Sequence, residues 1–76
     1  KIRINNLGPG YIKTKMTRKR FLNLSERKKR VDRIPLGKYG KPEDLVGPVI
    51  FLMSEASSYM TGQDLYIDGG FLAKGI

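Results

Sequence analysis

The sequence predicts an α/β fold: a β-α-α-β crossover unit whose two strands run parallel. Three observations carry this. Ile2 and Ile4 alternate with Arg3 and Asn5 ahead of the breaker Gly8-Pro9-Gly10, the period of a strand with one buried face. Two stretches with helix signals follow, and Asp64-Leu65-Tyr66-Ile67-Asp68 then forms a second short strand run, closed by Gly69-Gly70. Two strands joined through helices run parallel, with a right-handed connection. At 76 residues the chain holds at most one small domain.

The elements follow in order. A strand is expected over residues 1–7, entering a loop over 8–17. It opens on Lys1-Ile2-Arg3-Ile4-Asn5 without an initiator Met, so the expectation is a chain that begins inside a longer protein. Ser25 followed by Glu26 predicts an N-cap and an acidic first turn for a helix ending near Arg33. Pro35 pushes Ile34 away from helical dihedrals, making Ile34-Pro35-Leu36-Gly37 an extended connector. The next helix, over 42–55, starts with Pro42, whose missing N–H costs nothing in a first turn. Glu43 and Asp44 then face the positive end of the helix dipole. Leu45, Val46, Val49, Ile50, Leu52 and Met53 form a broad apolar stripe. Pro48 interrupts it and predicts a kink or a late start. The last strand is expected over 63–68. Two strands with helices on one face leave the other face and both edges open, so this unit needs a further part of a sheet to cover it.

With no Cys and no His, the chain has no disulfide, no thiolate or imidazole metal site and no histidine-based triad. No apolar run approaches the ~18–20 residues of a membrane span. Residues 1–6 lack the apolar core of a secretory signal, which makes the cytoplasm the expected location. The net charge of +8 is lopsided: fourteen of the 15 Lys/Arg, but only two of the 7 acids, lie within the first 41 residues. Such a half attracts phosphate, carboxylate or acidic protein surfaces through a field that salt screens. The densest run, Arg27-Lys28-Lys29-Arg30, is spread round the cylinder by helical spacing. No aromatic residue lies within it to stack on bases, so a solvated helix face outweighs a nucleic-acid contact.

Other patterns are weak. Gly8-x-Gly10 lacks the third glycine and the strand-to-helix setting of a dinucleotide fingerprint. Tyr11-x-x-x-Lys15 has the spacing of a phenol and an ammonium on one helical face, yet it follows Pro9-Gly10 directly and is expected in a loop. Asp64 and Asp68 share a strand face ~13 Å apart, too distant to hold one ion.

Taken together, Ile4-Asn5-Asn6-Leu7-Gly8-Pro9-Gly10-Tyr11-Ile12-Lys13-Thr14, Arg33-Ile34-Pro35-Leu36-Gly37, Gly40-Lys41-Pro42-Glu43-Asp44, Tyr59-Met60-Thr61-Gly62-Gln63 and Asp68-Gly69-Gly70 closely resemble the C-terminal part of the short-chain dehydrogenase/reductase family. The resemblance covers essentially the whole chain. It implies the C-terminal β-α-α-β portion of a doubly wound Rossmann-type parallel sheet, in one domain piece spanning 1–76. It implies that the glycine-rich nucleotide loop and the catalytic Ser, Tyr and Lys lie upstream, so no catalytic residue is assigned here. By position, Pro9 and Gly10 end the strand beside the nicotinamide, Ile12 contacts the carboxamide through its backbone, and Thr14 faces the pyrophosphate. The implied cofactor is NAD or NADP, bound together with the missing N-terminal part. Residues 18–34 become a substrate lid whose basic side chains suit an anionic small molecule. Asn6 and Gly8 depart from the residues usual in the family.

Within that family the phrasing is most similar to dehydrogenases acting on sugar acids such as gluconate or ketogluconate, with 3-oxoacyl-carrier-protein reductases as near relatives. The last helix and strand, residues 49–53 and 65–76, are the implied homo-oligomer contact. Two readings of another class stand beside these: a basic binding module and a non-catalytic oligomerisation unit.

Overall fold

β1 (Asn6–Pro9) and β2 (Asp64–Ile67) pair in parallel, with Asn6 opposite Asp64, Leu7 opposite Leu65, Gly8 opposite Tyr66 and Pro9 opposite Ile67. This computed structural model describes residues 1–73. Between the strands lie α1 (Arg18–Leu22), α2 (Leu24–Asp32), a 3-10 turn at Pro42–Leu45, α3 (Val46–Met53) and a second 3-10 turn at Glu55–Ser57.

The first strand sits further along the chain than the alternation at Ile2 and Ile4 predicts. Upstream of Asn6 the chain runs beside the turn at residues 61–63 rather than beside a strand. Gly62 N–H donates to the Ile4 carbonyl at 2.7 Å, Ile4 N–H to Thr61 Oγ1 at 3.1 Å, and Gln63 N–H to Asn5 Oδ1 at 3.0 Å. Side chains thus take ladder positions, and Ile2 and Ile4 remain 88% and 70% exposed. Gly8 and Pro9, expected in the loop, are the end of β1; Gly10 N–H still donates to the Ile67 carbonyl at 3.0 Å, so the ladder passes Pro9, whose nitrogen faces away from β2.

The segment 18–34 divides into two helices, of which sequence reading gives only the second. Asn23 is the divider: its backbone is extended (φ −77°, ψ 104°) and its Oδ1 accepts the Glu26 N–H at 3.3 Å. Asn23, rather than Ser25, is therefore the N-cap of α2. Ser25 lies inside the helix and donates its hydroxyl to Asn23 Oδ1 at 3.2 Å. The expected helix over 42–55 also divides. Asp44 Oδ2 accepts the Lys41 N–H at 2.7 Å and stabilises a 3-10 turn, after which the α-helix begins at Val46. Pro48 is thus the third helical residue, where an N–H would lack a helical partner anyway.

The described residues form a slab measuring 47 × 29 × 15 Å, and little of it is interior. Ile34 is the buried hydrophobic residue among those described, at 4% exposure; Ile34 to Gly37 is a turn after α2, closed by the Gly37 N–H on the Ile34 carbonyl at 2.7 Å with Gly37 at φ 73°, rather than the extended connector expected. Leu36 N–H bonds the Gly69 carbonyl at 3.0 Å, tying that turn to the end of β2. At the other end, Ser57 is buried and Arg3 inserts beside it. Arg3 Nη1 donates to the Ser57 carbonyl (2.8 Å), Ser57 Oγ (3.1 Å) and the Met60 carbonyl (3.1 Å), while Nη2 reaches the Leu52 carbonyl (3.3 Å) at the close of α3. A cation there complements the negative helix end.

Candidate cofactor and substrate cleft

The chain leaves β1 through Gly10, which lies against the backbone at the end of β2: a Cβ placed on it would meet Asp68 Cα at 2.8 Å. Ile12 then forms a single parallel bridge to Gly40. Gly40 N–H donates to the Tyr11 carbonyl and Lys13 N–H to the Gly40 carbonyl, both at 2.9 Å. Because strand hydrogen-bonding directions alternate, the Ile12 N–H and carbonyl face away from Gly40. That carbonyl accepts Thr17 Oγ1 at 2.7 Å. Thr14 N–H in turn donates to Thr17 Oγ1 at 2.8 Å, and Thr17 N–H to Thr14 Oγ1 at 3.3 Å. This side-chain-closed turn fixes the loop. Tyr11 and Lys15 lie in loop and turn, not on a helix.

Pro9, Gly10, Ile12 and Thr14 all line one cleft of about 200 Å³ at the carboxyl end of β1. Sequence reading did not place Tyr11, Thr17 and Tyr39 there, nor single out Arg20 and Arg30 from the basic residues of the lid; all five line it too. The Thr14/Thr17 pair at i, i+3 was a readable signal for the turn, whereas Tyr39 arrives from a distant connector. Four rings link the parts: Phe71 meets Tyr11 edge-on at 5.6 Å between centroids, Tyr11 meets Tyr39 at 5.7 Å, and Tyr39 meets Phe21 of α1 edge-on at 5.3 Å. Cations rest on these rings: Lys13 Nζ is 4.5 Å and Arg27 Cζ 4.7 Å from the Phe21 centroid, and Arg30 Cζ is 5.6 Å from that of Tyr11.

Arg30 also pairs with Glu26 one helical turn earlier, Nη1 to Oε2 at 3.3 Å. Polar contact with the Tyr39 side chain first, and with Glu26 after it, raises the Arg30 pKa further above the ordinary arginine value, outweighing desolvation. Its positive charge is permanent in water. A second hollow, of about 310 Å³, lies beside Ile12 against Leu36, Asp44, Ile67 and Asp68. The carboxylates at the start of β2 and just past its end are occupied separately: Asp64 Oδ1 accepts Asn6 Nδ2 at 2.8 Å, and the Asp68 oxygens accept the N–H groups of Gly70 (2.9 Å) and Leu72 (3.1 Å).

Among the described residues no helix is long and apolar enough to cross a membrane, and no group of acids is placed to hold a metal ion.

A family model described as enoyl-(acyl carrier protein) reductase matches residues 1–72. The chain is 42% identical over 73 residues to 2-dehydro-3-deoxy-D-gluconate 5-dehydrogenase of Dickeya dadantii, covering 96% of this chain and 29% of that protein. It is 48% identical over 71 residues to a 3-oxoacyl-[acyl-carrier-protein] reductase of Rickettsia felis, covering 93% and 29%. A solved structure, a putative 2-deoxy-D-gluconate 3-dehydrogenase of Agrobacterium tumefaciens with bound NADP, superposes with a TM-score of 0.91 at 39% identity, covering 93% of this chain and 29% of that one. The chain therefore spans about three-tenths of the length of the proteins it matches. A parallel strand pair with intervening helices, that superposition and a family match over nearly every residue converge on one conclusion: this chain belongs to the short-chain dehydrogenase/reductase family and carries a segment of its Rossmann fold.

Proposed function

We propose that this segment supplies one wall of the cofactor pocket in an NAD(P)-dependent oxidoreductase that interconverts an alcohol and a ketone on a sugar acid such as gluconate or ketogluconate. The observation that carries the reading is the convergence of Pro9, Gly10, Ile12 and Thr14 on one cleft at the carboxyl end of β1, where open parallel sheets hold their ligands. The donor set fits a nicotinamide dinucleotide. An outward backbone N–H and a carbonyl with a second lone pair at Ile12 suit a carboxamide, and hydroxyl and guanidinium groups suit phosphate. When bound, the nicotinamide supplies the hydride acceptor or donor. The residues of this chain position it: Gly10 admits close approach, Ile12 orients the ring amide, and the Thr14–Thr17 turn holds the loop. Proton transfer falls to groups outside this segment.

The sugar-acid reading is supported by the names of the Dickeya and Agrobacterium relatives. Under the same proposal residues 18–34 form the substrate lid and the location is cytoplasmic. The exposed Ile50, Met53 and Tyr66 on α3 and β2 belong to a homo-oligomer contact. Residues 74–76, included in that expected contact, lie outside the described residues. A 3-oxoacyl-carrier-protein reductase is the second reading, favoured by the 48% identity to the Rickettsia protein.

A chimera tests both. The matching segment of the Dickeya enzyme is replaced by residues 1–76, and NAD(P)-linked turnover is measured on gluconate, ketogluconate and a 3-oxoacyl thioester. Sugar-acid turnover is expected. A folded chimera that binds neither NAD nor NADP overturns the cofactor-wall reading, and thioester-only turnover selects the second reading.

A further inference from the structure

We propose that Arg30, with Arg20, forms a carboxylate clamp that fixes the acid end of the substrate inside the same cleft as the cofactor wall; the inference rests on the sugar-acid reading and names its specificity determinant. The cleft receives two guanidinium groups, from α1 and α2, and no carboxylate lines it. Arg30 is half-buried and pre-set: Glu26 holds Nη1 at 3.3 Å, and the Tyr11 ring lies 5.6 Å beneath the guanidinium carbon. Glu26 takes one nitrogen and the Tyr39 side chain also contacts the guanidinium, which leaves part of the five-donor fork unspent. Holding the fork in place before binding lowers the ordering cost of taking an anion. Arg20 is exposed and lines the same cleft from the other lid helix, so an anion held by both would tie α1 and α2 to the cofactor-side loop. The Tyr11 and Tyr39 rings that line the same cleft lower its polarity and strengthen any charge-assisted contact within it.

The same chemistry could serve two anions, the substrate carboxylate or a cofactor phosphate, and the test separates them. In the chimera described above, Arg30→Gln and Arg20→Gln are each compared with Lys28→Gln, which removes an exposed charge of α2 outside the cleft. Steady-state KM and kcat are measured for gluconate, for its neutral amide and for the nucleotide. The expected result is a rise in KM for gluconate of about 10- to 100-fold for Arg30→Gln, the worth of a charge-assisted hydrogen bond. A smaller rise is expected for Arg20→Gln, with kcat less affected, a collapse of the preference for gluconate over its amide, and partial recovery in Arg30→Lys. Arg20 has no intramolecular partner among the described hydrogen bonds and ion pairs, so its variant keeps the proposal testable if Arg30→Gln fails to fold. An unchanged KM for gluconate in both variants of an active chimera overturns the clamp alone. A rise confined to the nucleotide KM overturns it in favour of a phosphate contact. A chimera that binds nucleotide yet neither binds nor turns over any sugar acid overturns the clamp together with the function it rests on.

Discussion

Thr17 Oγ1 donates to the Ile12 carbonyl at 2.7 Å, and this one contact sets the shape of the loop that leaves β1. It spans five residues, receives the Thr14 N–H on the same oxygen at 2.8 Å, and leaves the Ile12 N–H outward. Thr17→Val keeps the volume and removes both bonds. The expected outcome in the chimera is a nucleotide affinity lower by about 3- to 10-fold, the worth of a hydrogen bond of about 1 kcal/mol, with Thr17→Ser close to wild type. A fluorescence titration with NADPH measures it, and equal affinities for Val and Thr would show that the turn does not position the loop.

Arg3 has four contacts of 3.3 Å or less around the end of α3 and the Ser57 turn. Arg3→Met keeps most of the aliphatic stem and strips the donors from carbonyls that have little access to water. The expected loss is about 2–3 kcal/mol of stability, read as a lower urea midpoint for the chimera. Arg3→Lys recovers only part, because an ammonium cannot fork across the Leu52 and Ser57 carbonyls. A midpoint unchanged in Arg3→Met would sink the clasp.

Gly8 and Gly10 differ in what a methyl group would strike. At Gly8 it meets the Tyr66 ring at 2.5 Å, a half-exposed side chain that can swing; at Gly10 it meets the backbone at Asp68, with Cα at 2.8 Å. Gly8→Ala is therefore expected to cost about 1 kcal/mol and Gly10→Ala about 2 kcal/mol or more, the range of overpacking in a confined site. Thermal denaturation of the two chimeras orders them, and the reverse order would refute the assignment.

The 76-residue chain by itself is expected to melt without a cooperative transition. Among the described residues Ile34 is the buried hydrophobic one, while Ile2, Met16, Met53 and Tyr59 are each at least 79% exposed; so little burial does not offset chain entropy. Calorimetry of the isolated chain checks this, and a sharp, two-state endotherm would count against it.

Much of the layout was legible. Pro42-Glu43-Asp44 marked the start of the second helical stretch and Asp64 to Ile67 the last strand, because each is punctuated by residues whose backbone chemistry is local; Gly8 and Pro9, read as loop, instead pair in β1 with Tyr66 and Ile67. The cleft was half legible: Pro9, Gly10, Ile12 and Thr14 follow one another along the chain and came from a family pattern. Tyr39 and Arg30 join them through ring contacts and, for Tyr39, through the neighbouring Ile12–Gly40 bridge, all across long separations for which no local signal exists. Asn23 was missed as the cap because Ser25-Glu26 looked like a better one; the extended backbone at Asn23 decided otherwise. The alternation at Ile2 and Ile4 has the pattern of a strand with one buried face, but both side chains stand exposed and pairing begins only where β2 offers a ladder.

The register of the sheet has a kinetic consequence. Asn6 and Asp64 are 58 residues apart along the chain, so bringing them together costs roughly 3–4 kcal/mol in closure entropy beyond a fixed offset, with only four residue pairs to recover it. The intervening turns and the Arg3 clasp must shorten that effective distance first. Amide protons of β2 should accordingly gain protection late when the chimera refolds, after those of α2 and α3.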